Sequence, residues 1–245
     1  MRILVTNDDG IDSSGLHVLA QRLTQVGDVT VFAPSGEYSG AGAAVGHLGA
    51  GIPDVYRVER PEMADVHAAY HLDAPPALAS LLACQGLLGP APELVVSGIN
   101  PGWNVGYAVH FSGTIGACIT ANMLDIPSIA VSQYQVGEKK NWESAAQAAV
   151  DQIERVMASG ELLNVNVPNV ALEQIQGTSD ATLSRRIPYS LHAPALHDQG
   201  GGRSSVTFEK DGPYESPEGC DTALVLSGYV AVTPLQPTRA ASGQL

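Results

Sequence analysis

Two adjacent aspartates, Asp8 and Asp9, directly follow the first apolar run of the chain at residues 2–6. Neighbouring carboxylates repel each other unless a cation neutralises them, and their hard oxygens suit a hard divalent metal such as Mg²⁺ or Mn²⁺. Asn7 and Gly10 flank the pair, and Asn, Asp and Gly are also common turn residues. The motif therefore fits either a metal site or a plain turn.

Two further polar segments could contribute to the same chemistry. Ser97–Gly106 follows another apolar run and carries two amide side chains, Asn100 and Asn104, among glycines that permit a close approach of backbone to ligand. Phe111–Gly116 places hydroxyl groups and bare N–H groups at the start of a predicted helix. The dipole and unpaired donors of a helix N-terminus favour a phosphate, although such a segment alone is more often a helix cap.

The alternation of strands and helices up to about Val167 is what would bring these three segments together. It is typical of a parallel sheet with right-handed crossovers, in which ligands bind beyond the carboxyl ends of the strands. Because no Ser–His or Cys–His pair is predicted, the combination favours metal-assisted attack of water on a phosphate ester. Besides residues 2–6, the predicted strands are Asp28–Ala33, Tyr56–Glu59, Val66–Leu72, Glu93–Ser97, Ser128–Val131 and Leu162–Val167, and the predicted helices are Ser14–Gly27, Pro75–Gly86, Thr114–Leu124 and Trp142–Ala158.

The pattern changes after Pro168, where short alternating runs at Val206–Lys210 and Tyr229–Thr233 suggest hairpins or an extension. We therefore divide the chain into a Rossmann-like α/β core at residues 1–168, with a mostly parallel sheet and flanking helices, and a C-terminal extension at residues 169–245.

Charge and composition limit the classes of molecule that the protein could bind. The formal net charge of −13 argues against a nucleic acid polymer or an anionic membrane, both of which require a basic surface. An anionic substrate then depends on a local positive centre, which a metal ion and a helix N-terminus supply. The three cysteines are far apart, with no CxxC, and no apolar stretch reaches the length of a membrane span. We expect a cytoplasmic protein that acts on a phosphorylated small molecule.

At these residues the chain resembles the SurE survival-protein phosphatases, which are metal-dependent 5′-nucleotidases. The resemblance covers nearly the whole length, in the family's order. The matching segments are ILVTNDDGI from Ile3, Ala33-Pro34 with Ser39-Gly40, VVSGINPGWNVG from Val95, SGTIGA from Ser112, NVNVP from Asn164 and GYVAVTPL from Gly228.

The resemblance implies hydrolysis of a nucleoside monophosphate or a similar phosphorylated small molecule by water attack. It also implies one Mg²⁺ or Mn²⁺ ion per subunit and a homodimer or homotetramer, with the C-terminal extension as a swapping or hairpin element that completes the sheet and the oligomer interface. Carried over, the metal ligands are Asp8, Asp9, Ser39 and Asn100, of which Asp8, Asp9 and Asn100 are also catalytic. The implied phosphate-site residues are Asn7, Gly40, Asn104, Ser112, Gly113 and Thr114.

Departures from the family pattern keep alternatives open. Residues 41–46 are small and apolar where the family carries hydroxyl and amide side chains, residues 72–77 differ from the family segment, and Phe111 replaces the usual Tyr. The alternatives are a specialised phosphatase of a non-nucleotide metabolite and a metal- or nucleotide-binding homologue without turnover. A covalent aspartyl-phosphate route ranks lower, because two aspartates that bind one metal leave neither free to attack.

Three side chains in the candidate loops remain open to more than one interpretation. His47 and His110 are candidate general acids for the leaving alkoxide, since an unperturbed histidine titrates near neutrality. A surface position without a catalytic role fits each of them as well. Trp103 could stack on a flat group of the ligand or pack beneath its own loop.

Overall fold

The structure, a computed structural model, describes residues 1–46, 51, 53–135, 137–185, 191–210 and 216–236. These residues form a nine-stranded, mostly parallel sheet with helices on both faces and a separate two-stranded hairpin, which confirms the predicted α/β class. The strands are β1 (Arg2–Thr6), β2 (Asp28–Pro34), β3 (Val55–Val58), β4 (Ala68–Leu72), β5 (Leu94–Pro101), β6 (Ser128–Gln133), β7 (Leu162–Val167), β8 (Gly177–Asp180), β9 (Leu191–Asp198), β10 (Ser204–Lys210) and β11 (Tyr229–Leu235). The helices are α1 (Ser14–Leu23), α2 (Pro76–Cys84), α3 (Gly113–Asn122), α4 (Trp142–Asp151), α5 (Ile153–Ser159) and α6 (Asp221–Leu226).

The first strand, β1, lies at the centre of the sheet. From β1 the chain builds outward in one direction through β2 and β4, and then returns to the other side of β1 with β5, β6 and β7. The order of the strands therefore reverses between β1 and β5. A crevice opens beyond the carboxyl ends of the strands at such a reversal, and this is where open α/β sheets bind ligands.

Alternate residues of β1 serve two different cores. Ile3 and Val5 pack into the cluster covered by α1 and α4, while Leu4 packs on the opposite face with α2. Burial on both faces explains why the strand reads as an unbroken apolar run rather than an alternating one. Each fully buried side chain of this size contributes about 1.5–3 kcal/mol, so the residues that carry the Asp8–Asp9 turn are firmly held.

Most predicted element boundaries are off by one to four residues, and two of these differences change the interpretation. The strand predicted to end at Ser97 continues to Pro101, because the chain resumes pairing with β6 at Asn100 after an irregularity in register. Asn100 therefore lies on a strand end rather than in a loop. The single helix predicted at Trp142–Ala158 is two helices, because the Gln152 N–H bonds to the Ala149 carbonyl, three residues earlier, and ends α4.

The C-terminal region contributes both to the main sheet and to the separate hairpin. The run at Tyr229–Thr233 is not part of a hairpin: β11 pairs antiparallel to β7 and parallel to β8, at the end of the main sheet. The run at Val206–Lys210 lies in β10, which pairs antiparallel with β9 as predicted. Within the described ranges, no helix has the length and apolar character needed to cross a membrane.

Candidate metal and phosphate site

The Asp8–Asp9 turn is held by its own neighbours. The Asn7 side chain donates to the Gly10 carbonyl at 3.1 Å and accepts from the Gly10 N–H at 3.2 Å, which closes the turn. The Tyr38 N–H donates to the Asp8 carbonyl at 2.7 Å. Both polar ends of Asn7 are thus engaged in the turn, so its contacts position the two aspartates, and its place in the phosphate site stays a prediction.

Helix α3 begins directly against the first aspartate. The Thr114 hydroxyl donates to Asp8 Oδ1 at 2.6 Å, and both side chains are buried. A Cβ built on Gly113 would lie 2.7 Å from Asp8 Cβ and 2.8 Å from Asp8 Oδ2, so only glycine permits this approach. Ser112 caps the helix by accepting from the Ile115 N–H at 3.2 Å. The SGT segment therefore joins Asp8 to a helix N-terminus.

The two carboxyl groups are placed where negative charge is costly. Burial raises the pKa of Asp8, and the hydrogen bond from Thr114 offsets this only in part. Burial, followed by repulsion from Asp8 and Glu37, raises the pKa of Asp9 to about 8. Asp9 Oδ2 is buried and has no hydrogen-bond partner within the described residues. Among the described residues, no cationic side chain contributes to either shift. A bound cation would remove both penalties, so the pair fits a metal.

Such an ion would need neutral oxygens to complete its coordination. In the described part of the chain, no three His, Cys, Asp or Glu side chains form a group that could hold a metal. Mg²⁺ accepts amide, hydroxyl and water oxygens beside one or two carboxylates. The predicted ligand set, two aspartates with Ser39 and Asn100, has that composition and stays a prediction.

Ser39 and Gly40 lie in the exposed loop that follows β2. The Ser39 N–H donates to Glu37 Oε1 at 2.9 Å, and Gly40 adopts a φ of +83°, which favours glycine. No pattern in the sequence singles out Ser39, because one hydroxyl in a loop carries no periodic or spacing signal. The family resemblance alone supplied it.

A close backbone contact fixes this loop against α3. The Gly42 N–H donates to the Phe111 carbonyl at 3.1 Å. A Cβ on Gly116 would come within 2.1 Å of the Gly42 carbonyl oxygen, so the loop lies directly on the helix backbone. The loop that carries Ser39 and the helix start that carries Ser112 are therefore one packed unit.

Asn100 stands at the end of β5, next to β1. Its Nδ2 donates to the Gly102 carbonyl at 2.7 Å, which fixes the plane of the side-chain amide. The Asn100 Oδ1 atom is then the one that could bind a metal ion. The carboxyl ends of β1 and β5 are adjacent because Thr6 pairs with Ser97. The fold thus brings Asn100 to the same edge of the sheet as the aspartates.

Asn104 is the centre of a buried amide network. Its N–H donates to Asn166 Oδ1 at 2.7 Å, its Nδ2 donates to Ser132 Oγ at 2.8 Å, and its carbonyl accepts from both Asn164 and Asn166. These contacts hold the loop after β5, and a phosphate contact by Asn104 stays a prediction. Sequence reasoning gave the two β7 asparagines no role of their own, although two Asn spaced by one residue in an otherwise apolar strand are a signal of buried polar contacts.

The remaining candidates differ in placement. His110 is exposed, at the end of a short 3₁₀ helix that leads to Ser112, and its role as general acid stays a prediction. His47 lies outside the described residues. Trp103 is 8% exposed and stacks on Tyr134 with ring centroids 3.9 Å apart, so it packs beneath the loop.

Comparison with known proteins agrees with this geometry. The family model described as Survival protein SurE matches residues 3–189. A protein of Mannheimia succiniciproducens named 5′-nucleotidase SurE is 35% identical, over 96% of this chain and 92% of its own. One of the same name from Chloroflexus aggregans is 36% identical, over 96% and 93%.

The fold comparison gives the same result. The crystal structure of the SurE protein from Aquifex aeolicus superposes with a TM-score of 0.82 and 30% identity, covering 97% of this chain and 94% of that one. Sequence and fold thus agree over nearly the full length. The chain belongs to the SurE family.

Proposed function

We propose that this protein hydrolyses nucleoside monophosphates, or closely similar phosphate monoesters, by attack of water assisted by one divalent metal ion. The observation that carries the proposal is the Asp8–Asp9 pair, which has no cationic partner in the described structure. Asp8 is buried and in contact with the N-terminus of α3, and Asp9 is half-buried beside it. The names of the curated relatives, 5′-nucleotidase SurE, support the same reaction and leaving group.

Each group at the site has a distinct task in this proposal. Asp8, Asp9, Ser39 and Asn100 hold the ion, which would polarise the phosphoryl group and lower the pKa of a water molecule. Asp8 or Asp9 orients that water.

The start of α3 then takes the phosphate oxygens. The Ile115 N–H donates to the Ser112 hydroxyl oxygen and the Gly116 N–H donates to the Ser112 carbonyl. The Thr114 N–H donates to the Asp8 carboxyl group. Among the first-turn N–H groups of the described structure, this leaves that of Gly113 as the donor available to an anion.

The first experiment is phosphate release from a panel of nucleoside monophosphates and phosphorylated small metabolites, in EDTA and then with added Mg²⁺ or Mn²⁺. We expect release from nucleoside monophosphates only when the metal is present. Release from another class alone would keep the chemistry and replace the substrate. Metal binding without any release across the panel would overturn the enzyme proposal in favour of a binding protein.

Metal addition should also stabilise the fold, by an amount that depends on pH. The folded chain keeps a proton on Asp9 up to about pH 8, whereas the unfolded chain releases it near the usual value of 3.8. The stability of the metal-free protein therefore falls as the pH rises between these values. A cation at about 100 times its Kd should raise Tm by about 5–10 °C.

The rise in Tm should be larger at pH 8 than at pH 6, because protons compete with the metal for the carboxylates. Differential scanning calorimetry at both pH values, with EDTA or with Mn²⁺, measures this. Equal Tm values with and without the ion at pH 8 would contradict the metal site.

Assembly and location remain proposals with specific support. Leu196, Val206 and Phe208 of the hairpin are 75%, 54% and 47% exposed, which favours the extension at residues 169–245 as the interface of a homodimer or homotetramer. All three cysteines are buried free thiols, which fits a reducing cytoplasm.

A further inference from the structure

A buried carboxyl group that is not among the proposed site residues holds one of the loops of the candidate site. Asp221, the first residue of α6, is 0% exposed. Its Oδ2 accepts from the Gly106 N–H at 2.7 Å. Its Oδ1 accepts from the N–H groups of Ser184 and Thr222 at 3.0 and 2.8 Å, and from the Thr222 hydroxyl at 3.3 Å. All four of these donors are neutral and three are backbone N–H groups, so within the described residues this carboxyl group acts as a multiple acceptor.

The Gly106 contact reaches the site through a short and well-tethered segment. Gly106 begins the 3₁₀ helix that ends at His110 and leads to the capping residue Ser112. On its other side lies Asn104, whose backbone is bonded to the asparagines of β7. Asn104 and Gly106 are thus anchored by side chains from later in the chain, and Asp221 supplies the anchor nearest to the 3₁₀ helix.

The Ser184 contact links the same carboxyl group to the hairpin. The chain leaves the main body after Ser184, forms β9 and β10, and returns to Asp221. At the point of return, the Asp221 N–H donates to the Thr182 carbonyl at 2.9 Å, and the Thr182 N–H donates to the Gly219 carbonyl at 3.2 Å. The Asp221 side chain therefore links both ends of the segment that forms the hairpin to the loop that precedes α3.

We propose that Asp221 is a positioning residue: it holds the segment from Gly106 to His110 in the geometry that binds substrate, and it acts through the Gly106 N–H. The catalytic part of this inference rests on the proposed phosphatase function. Because the described hydrogen bonds of Asp221 go to none of the proposed metal ligands, the inference separates substrate affinity from metal affinity.

The test is the Asp221→Asn variant, in which an N–H₂ group replaces one acceptor oxygen and faces backbone donors. We expect KM for a nucleoside monophosphate to rise about tenfold, with kcat within about threefold of wild type and Mn²⁺ affinity unchanged. Partial unfolding would instead lower kcat at unchanged KM. The matched control is Asp180→Asn, which removes an exposed carboxyl group of the same region that pairs with Arg155. A wild-type KM in Asp221→Asn would overturn the proposal.

A second readout does not depend on activity. Trp103 lies in this loop, so in a Trp142→Phe background it is the reporter of loop position. We expect acrylamide to quench Trp103 more strongly when Asp221→Asn is added to that background. Unchanged quenching would refute the positioning role, as would a wild-type KM. If no substrate is turned over but quenching rises, the proposed function fails while the positioning role stands.

A measurement on the unmodified protein covers the case in which the variant does not fold. The Gly106 and Ser184 amides are bonded to a fully buried acceptor, so hydrogen exchange in wild type should show both as protected. Rapid exchange of the Gly106 amide in the folded protein would overturn the proposal.

Discussion

Replacing Asp9 with asparagine is expected to reduce metal-dependent phosphate release by about 10³-fold while the fold is retained. The neutral amide keeps the shape of the carboxyl group but supplies one weak ligand oxygen in place of an anionic pair. Since Asp9 Oδ2 has no protein partner in the described structure, no folding contact of that oxygen is lost. Phosphate release at saturating Mn²⁺, with circular dichroism as the check on folding, measures the effect.

The same variant should change how stability depends on pH. The Asp9→Asn protein has no proton to lose at this position, so its metal-free Tm should fall less than that of wild type between pH 5 and about pH 8. Asp12→Asn is the matched control, because Asp12 is exposed and pairs with Arg60 at 2.8 Å. Near wild-type turnover in Asp9→Asn would show that the aspartate pair is not the metal site.

The second large effect is expected from Gly113→Ala. The new methyl group would lie 2.7–2.8 Å from atoms of Asp8, so the carboxyl group or the helix start must shift by several tenths of an ångström. A misplacement of about 1 Å at reacting groups can cost about 10²-fold in rate, so we expect a loss of up to about 10²-fold from this smaller shift. The cost to folding should be smaller, because alanine favours a helix more than glycine by about 1 kcal/mol. Steady-state kinetics and thermal unfolding together distinguish the two effects.

Gly36→Ala is the control for this substitution, because a Cβ at Gly36 meets nothing within 4 Å. It lies in the adjoining loop and should leave kcat and KM near wild type. If Gly113→Ala also retained wild-type activity, the close contact between α3 and Asp8 would have no catalytic role.

The parts of the site that the sequence predicts are those written into consecutive residues. An apolar run that ends in Asn7-Asp8-Asp9-Gly10 specifies a central strand and a turn, and Ser112-Gly113-Thr114 specifies a helix start. Alternation of elements then predicts that these ends meet at one edge of the sheet. The extent of β5 could not be predicted, because its last residues pair with β6 only after a glycine that the pattern assigns to a loop.

The contacts that sequence could not predict join residues far apart. The Gly106–Asp221 bond spans 115 residues, and the Asn104–Asn166 bond spans 62. No local pattern shows which residue each of these groups contacts, because the partner of a buried polar residue depends on what surrounds it in the fold. Gly116 is a similar case. A side chain is excluded at this position by the Gly42 backbone, which lies against it only in the folded state.

The central place of β1 also bears on the order in which the protein matures during synthesis. All four proposed metal ligands have been synthesised once Asn100 is added, whereas Asp221 is added seconds later, at about 5–20 residues per second. The tether on Gly106 is thus among the last contacts that can form. A nascent chain therefore contains every proposed metal ligand well before it contains the residue that holds the Gly106 segment, so that segment can be fixed only when translation is nearly finished.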